Sequence, residues 1–419
     1  MQKAYDFLGG LTPETFLRDY WQKKPLLVRN AFPDAASLLS PDELAGLALE
    51  PSEEDDEDDL EDGCEFENSG VEARIIRSHI DENEKRRWIL ERGPFTEARL
   101  KSLPEKNWTL LVQAVDMYHE NVASLLDVFS FIPRWRLDDV MISLAAPGGS
   151  VGPHFDRYDV FLIQGIGQRH WQIGQQCSAK TPLIKHPDMK ILTTMDATQA
   201  WTLNPGDMLY LPPLIAHHGV AIDTCMTYSV GFRAPAIEVL FDKLTHHVAD
   251  HSQQDERYTD PDLSPQKNSG WLSEQAVAKV QTLMMAHIQD SNQVRDWLAQ
   301  LVTEPKYAVD YENIDPDETT ESVGQKEFLD HLKQNQVIFR DNYSRFIYTG
   351  QENQAEKFYI NGHEIPLPEK NLADARQLVI YLCNNRYYNS ENLWTYLQHQ
   401  ALCQWFIRLF QKGYFYIQE

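Results

Sequence analysis

The chain has 419 residues, 42% of them hydrophobic, with 38 basic and 63 acidic side chains and a formal net charge of −25. That is enough for more than one packed core, and the acidic field disfavours nucleic acid as a partner while favouring a basic protein. The apolar runs, such as VFLI at 160–163 and LVIYL at 378–382, fall well short of the ~18–20 residues of a membrane span, and MQKAYDFLGGLTPE lacks the apolar stretch of an export signal, so a cytoplasmic protein is expected.

Thr12 and Pro13 supply the cap and first position of a helix that carries Phe16, Leu17, Tyr20 and Trp21 at helical spacing. Pro25 ends it, PLLVRNAF reads as a strand, and Ser40-Pro41-Asp42-Glu43 opens a helix through Leu49. Residues 53–62, EEDDEDDLED, are an acidic block; it reads as a solvated loop or, alternatively, as an electrostatic lure for a basic substrate. ARIIRS (73–78) and RRWILERGPF (86–95) have the pattern of a hairpin, WTLLVQAVD (108–116) of a buried strand and HENVASLLDVFSFI (119–132) of a helix.

Between 134 and 235 the texture changes to short strands rich in β-branched and aromatic residues, punctuated by PGGSVGP, GIGQ and NPGD. Several such strands in one stretch predict an all-β sandwich or barrel core. Residues 236–303 return to helical periodicity, 304–324 read as a linker, and 325–419 mix helices with a small hairpin, as in a winged-helix-like module. The five cysteines (Cys64, Cys177, Cys225, Cys383, Cys403) are widely spaced without a C-x-x-C pair, which fits buried thiols rather than a disulfide framework or zinc ribbon.

The chemistry concentrates in GGSVGPHFDRYDVFLIQGIGQRHWQIG, residues 148–174. His154 and Asp156 are two apart, so on a strand they would project from one face. LYLPPLIAHHG brings a further histidine at the end of a second strand; alternation allows only one of His217 and His218 to face the same way. Two histidines and a carboxylate form the facial triad suited to non-haem Fe(II). Alternation also groups Asp139, Met141 and Ser143 on one face, Tyr158 with His154 and Asp156, and Thr227 with Ser229.

GPHFDRYDVFLIQG, GDMLYLPPLIAHHG and YSVGFRAP resemble the motifs of JmjC-type cupin oxygenases, and more narrowly those of the bacterial ribosomal oxygenases; FLRDYWQKKPLLVRNAF and the tail fit as well. The resemblance implies an α+β protein: a double-stranded β-helix barrel within residues 1–235 (core 134–235), a helical dimerisation region at 236–303, and a winged-helix domain at 325–419. It implies Fe(II) held by His154, Asp156 and His217, the last chosen by the pattern PP-x-x-x-H-x-G. 2-Oxoglutarate would be held by Arg169, Ser143 and Thr227, Thr227 standing where the family favours an amide-bearing residue. A cationic side chain would be received by Asp139, Met141, Tyr158 and Ser229. The implied reaction is hydroxylation of an arginine, at Cβ, of a large-subunit ribosomal protein, by a homodimer. Two alternatives stand beside it: a related JmjC oxygenase acting on His or Lys of another protein, or a non-enzymatic cupin and winged-helix binding protein whose tail binds nucleic acid.

Overall fold

The computed structural model describes residues 5–49, 71–83, 85–251, 257–307, 325–334 and 337–417. The acidic block 53–62 and residues 308–324 of the expected linker lie outside the described residues. The chain divides into two compact units, 1–234 and 235–419.

In the first unit the N-terminal helices start where their caps stand. Thr12 Oγ1 accepts from Thr15 N at the head of α1 (Pro13–Asp19), and Ser40 and Glu43 form a reciprocal capping box on α2 (Pro41–Leu47). The strand read in PLLVRNAF is short, β1 (Leu26–Val28). The hairpin forms as β2 (Ala73–Ile80) and β3 (Arg86–Arg92), followed by α3 (Glu97–Lys101) and β4 (Trp108–Val112).

Two expectations are corrected here. The strand begun at Trp108 stops at Val112, because Ala114 takes a left-handed conformation (φ 52°). The single helix expected over 119–132 is instead α5 (Glu120–Ala123) and a 3-10 turn over Ser124–Phe129, and the chain before it forms a separate short helix, α4 (Val115–Tyr118).

Seven further strands follow: β5 (Leu137–Ala145), β6 (Val160–Ile166), β7 (Arg169–Gln176), β8 (Gln199–Leu203), β9 (Met208–Leu211), β10 (Ile215–Ala221) and β11 (Cys225–Phe232). Together with β1–β4 they build an eight-stranded antiparallel sheet in the order β1-β9-β6-β11-β5-β4-β2-β3 and a three-stranded sheet β10-β7-β8. Central β11 is buried along its whole length, as a strand covered on both faces must be.

One face of the large sheet packs on the N-terminal helices through an aromatic cluster; Phe161 lies 4.6 Å from Phe129 and 4.8 Å from Tyr210, ring centre to ring centre. The other face encloses Leu162, Leu209, Trp171, Ile173 and Leu203, the last three from the small sheet. Two antiparallel sheets closed on a shared interior are the double-stranded β-helix.

The second unit starts with α6 (Ile237–His251), α7 (Glu274–Gln289) and α8 (Ser291–Thr303). It continues with α9 (Gln325–Lys333), β12 (Ile338–Arg340), β13 (Phe346–Gln351), β14 (Gln354–Ile360), β15 (His363–Ile365), α10 (Leu372–Asn384), β16 (Tyr387–Tyr388), α11 (Ser390–Leu397), α12 (Gln400–Gln411) and β17 (Phe415–Ile417). The hairpin β13–β14 is the wing beside a helical core built on Phe328, Leu378, Leu382 and Phe406. Helix α8 is bound to this wing: Asp296 accepts from Lys357 Nζ (2.6 Å) and Tyr359 OH (2.8 Å), and Gly362 N donates to Thr303 Oγ1.

Candidate metal centre and anion site

His154 and Asp156 sit in the segment between β5 and β6. No strand forms there; β6 begins only at Val160, and residues 157–158 bend. Their convergence has another cause. His154 makes an isolated antiparallel bridge to His217 on β10, with His154 N donating to His217 O at 3.0 Å and His217 N to His154 O at 2.8 Å. Two residues on, Leu214 N, just ahead of β10, donates to Asp156 O at 2.7 Å, so both ligand candidates are pinned to the start of the same segment.

The donor atoms of His154, Asp156 and His217 all lie within 4.8 Å of one another, the one such group among the described residues. His217 Nε2 is 3.5 Å from Asp156 Oδ2, and the two imidazole centres are 4.2 Å apart. Each imidazole is held in the same way. His154 Nδ1 lies 2.9 Å from Gly152 O, and His217 Nδ1 lies 2.9 Å from Ile215 O. A carbonyl can only accept, so each Nδ1 carries a proton, and Nε2 is the ring nitrogen left for the cluster. Burial, and then His154 beside it, push the His217 pKa down to about 4, leaving a neutral imidazole near pH 7. His218 turns to the other face, opposite Gln172, and takes no part.

Arg169 opens β7 opposite Ala221, four residues along the ladder from the Ile173–His217 pair and on the same face. It is 5% exposed, and its Nε and Nη2 are buried without a hydrogen-bond partner. An unpaired buried guanidinium is costly, so this position calls for an anion. A carboxylate can satisfy a guanidinium with two parallel bonds. The guanidinium lies over the Trp171 indole (5.9 Å), which also stands 5.9 Å from the His217 ring. Gly219 makes room for that indole, since a Cβ there would meet the ring at 2.8 Å.

Across the interior, β5 and β11 run in register, with Ser143 beside Thr227 and Met141 beside Ser229. Ser143 Oγ reaches Thr227 O at 3.5 Å, and Thr227 Oγ1 donates to Gln164 Oε1 at 3.2 Å. Gln164 is fully buried on β6 and is a residue that sequence reasoning missed. The signal was available: a glutamine inside the apolar run VFLIQGI has to be bonded to something. It places an amide one strand away from Thr227.

Asp139 lies on the same row, 3% exposed, with Oδ2 accepting from Gln113 Nε2 (2.6 Å) and Ala114 N (3.1 Å). Tyr158 does not share a strand face with His154 and Asp156; it stands in the bend and is 42% exposed. Burial of its phenol, and then the charges of Asp156, Asp139 and Asp138, nevertheless raise its pKa, so the hydroxyl stays protonated beside these carboxylates.

Comparison with known proteins agrees with this geometry. The JmjC domain family model matches residues 124–240, and the ROXA-like winged helix model matches 286–416. The chain is 33% identical to the ribosomal protein uL16 3-hydroxylase of Escherichia coli (strain K12), covering 96% of this chain and 97% of that protein. The chain belongs to the ribosomal oxygenase family. It is also 32% identical to a probable ribosomal oxygenase of Haemophilus influenzae, over 88% of this chain and 85% of that protein. Among solved structures of ribosomal oxygenases, that of YcfD from Escherichia coli in complex with cobalt and 2-oxoglutarate superposes with a TM-score of 0.79 at 32% identity. The match covers 98% of this chain and 99% of that one. The JmjC barrel and winged helix of this ribosomal oxygenase are therefore those expected from its motifs.

Proposed function

We propose that the protein is an Fe(II)- and 2-oxoglutarate-dependent oxygenase that hydroxylates an arginine side chain, at Cβ, of a large-subunit ribosomal protein. The observation that carries this reading is the three-donor cluster of His154, Asp156 and His217 on the same barrel interior as the unpaired guanidinium of Arg169. Two imidazoles and one carboxylate on one side of a cation are the donor set for non-haem iron, with positions left open. When bound, iron and 2-oxoglutarate supply the oxygen activation and C–H oxidation.

The chain's own residues bind and orient. His154, Asp156 and His217 hold the metal, with both Nδ1–H groups tied back to backbone carbonyls. Arg169 binds the distal carboxylate of the cosubstrate, and the Ser143 and Thr227 hydroxyls assist by turning their protons to it from Thr227 O and Gln164 Oε1. Trp171, Leu162 and Leu209 keep water from that end of the barrel. Asp139 receives the cationic end of the substrate side chain, and Met141, Tyr158 and Ser229 line its methylenes. The name of the Escherichia coli relative points to uL16 as the substrate protein. With a ribosomal protein as substrate, the proposed place of action is the cytoplasm; among the described residues no helix is long and apolar enough to cross a membrane.

We further propose that α6 and α7 pair with a second copy of the chain. Ile237, Phe241, Met284 and Met285 on these helices are between 42% and 65% exposed, an apolar surface that a second copy would cover.

Anaerobic titration with Fe(II) and 2-oxoglutarate tests the core of the reading. Wild type should develop the weak visible band of the metal–keto acid chelate, and Arg169→Ala should lose or weaken it at matched cosubstrate concentration. Absence of the band in wild type would contradict the metal assignment.

A further inference from the structure

We infer that Gln113, which has none of the roles assigned above, is a positioning residue that sets the Asp139 carboxylate for the substrate's guanidinium. This rests on the reading that Asp139 receives the substrate cation. Asp139 Oδ2 is gripped from two directions within the protein, by Gln113 Nε2 at 2.6 Å and by Ala114 N at 3.1 Å. The second grip comes from the residue at which the chain leaves the strand: Ala114 has φ 52°, a left-handed conformation uncommon outside glycine, and its N–H donates to the carboxylate.

The first grip depends on a fixed amide. Gln113 Oε1 accepts from Arg74 Nη2 at 3.1 Å, so the amide cannot flip without losing that bond, and its NH2 group has to face Asp139. Arg74 is in turn steadied by Glu72, whose Oε1 lies 3.4 Å from Arg74 Nε, an ion pair outside hydrogen-bond geometry. Gln113 N also donates to Glu72 O at 2.9 Å, which fixes the Gln113 backbone.

The two carboxylate oxygens therefore have different surroundings. Oδ2 belongs to the relay Glu72–Arg74–Gln113–Asp139, which crosses from β2 through the end of β4 to β5. Oδ1 lies against Gly231, where an added Cβ would come within 3.6 Å, on the row that continues through Ser229 and Thr227. With Oδ2 fixed, the carboxylate cannot rotate, and its Oδ1 lone pairs keep one direction along that row. A charge-assisted bond to a planar guanidinium is sensitive to direction, so holding the acceptor in place before binding saves ordering cost at the moment of binding.

The test is steady-state kinetics of uL16 hydroxylation by the full-length protein carrying Gln113→Leu or Arg74→Met. Gln113→Leu keeps similar volume and removes both amide bonds; Arg74→Met leaves the amide in place but free to flip. KM for uL16 should rise about tenfold in Gln113→Leu and by less in Arg74→Met, while kcat at saturating uL16 and KM for 2-oxoglutarate change less than about twofold. Thermal melting establishes that each variant is folded. An unchanged KM for uL16 in folded Gln113→Leu would overturn the inference. So would a loss spread equally over kcat and KM for 2-oxoglutarate, the pattern of a merely structural bond. Failure of the underlying reading is distinguishable, because Asp139→Asn would then leave KM for uL16 unchanged; that result would remove the inference with it, whereas a raised KM in Asp139→Asn beside an unchanged one in Gln113→Leu would overturn the inference alone.

Discussion

At the scale of single residues, the proposed metal centre depends on groups outside its three donors. His154 and His217 each donate an Nδ1–H hydrogen bond to a carbonyl two residues earlier, and both carbonyls belong to segments joined by the His154–His217 bridge. Gly219 acts at one remove, through the indole it accommodates. Gly219→Ala would push a methyl into Trp171, which contacts both the His217 ring and the Arg169 guanidinium. We expect a stability loss of about 1–3 kcal/mol in thermal or urea unfolding, with weaker 2-oxoglutarate binding in the anaerobic titration. Undiminished stability and binding would mean that Trp171 has room to move.

The donor residues themselves were legible in the sequence, because H-x-D and PP-x-x-x-H-x-G are local patterns. The reason they meet was not. Strand alternation was expected to align them, and a backbone bridge between residues 63 positions apart does so instead. Gln164, Trp171 and Gln113 were missed for a related reason: what each side chain bonds depends on the register of strands distant in sequence.

At the scale of elements, the barrel is held at its edges by specific clamps as well as by its core. Asp207, in the turn between β8 and β9, accepts from Asn204 N (2.9 Å), Asn30 N (2.9 Å) and Arg29 Nη1 (2.5 Å), tying the chain after β1 to that turn. Burial alone would raise its pKa, but these donors outweigh burial and hold it below the ordinary value. A carboxylate whose pKa is lowered on folding contributes stability above its unfolded pKa and loses it as pH falls through the folded value. The stability gap between wild type and Asp207→Asn should thus be about 1–3 kcal/mol near pH 7 and close as the pH falls below about 4, read from urea unfolding at several pH values. A gap independent of pH would contradict the charged clamp.

On the helix-facing side of the sheet, Phe161→Ala should cost about 3–5 kcal/mol, because its ring is fully buried among Phe129, Tyr210, Phe16 and Phe232. Element type was legible wherever a pattern was local: the capped helices α1 and α2, the β2–β3 hairpin and the barrel strands. It failed at 113–132, where Ala114 leaves the strand by a left-handed turn and apolar spacing continued across several short helical turns. Apolar spacing reports which face is covered, and a broken helix covers much the same face as a continuous one.

At the scale of the whole molecule, a net charge of −25 is suited to attracting a basic polypeptide. If that field steers uL16, KM for uL16 should rise with added salt while KM for 2-oxoglutarate, bound inside the barrel, rises less. Deleting residues 53–62 should weaken apparent uL16 affinity at low salt; an unchanged value would dismiss the block as a lure. The winged-helix module was legible from alternating short strands and helices, but α8, read with the preceding helices, bonds to the wing through Asp296 and Thr303. Nothing local in QVRDWLAQLV announces that partner.

The most direct measurement is tandem mass spectrometry of uL16 after incubation with the protein, Fe(II), 2-oxoglutarate and oxygen, alongside His154→Ala. The account predicts one added oxygen atom on an arginine, at Cβ, with wild type and none with the variant. Unmodified uL16 alongside active 2-oxoglutarate turnover, or the added oxygen on a histidine or lysine instead, would contradict it.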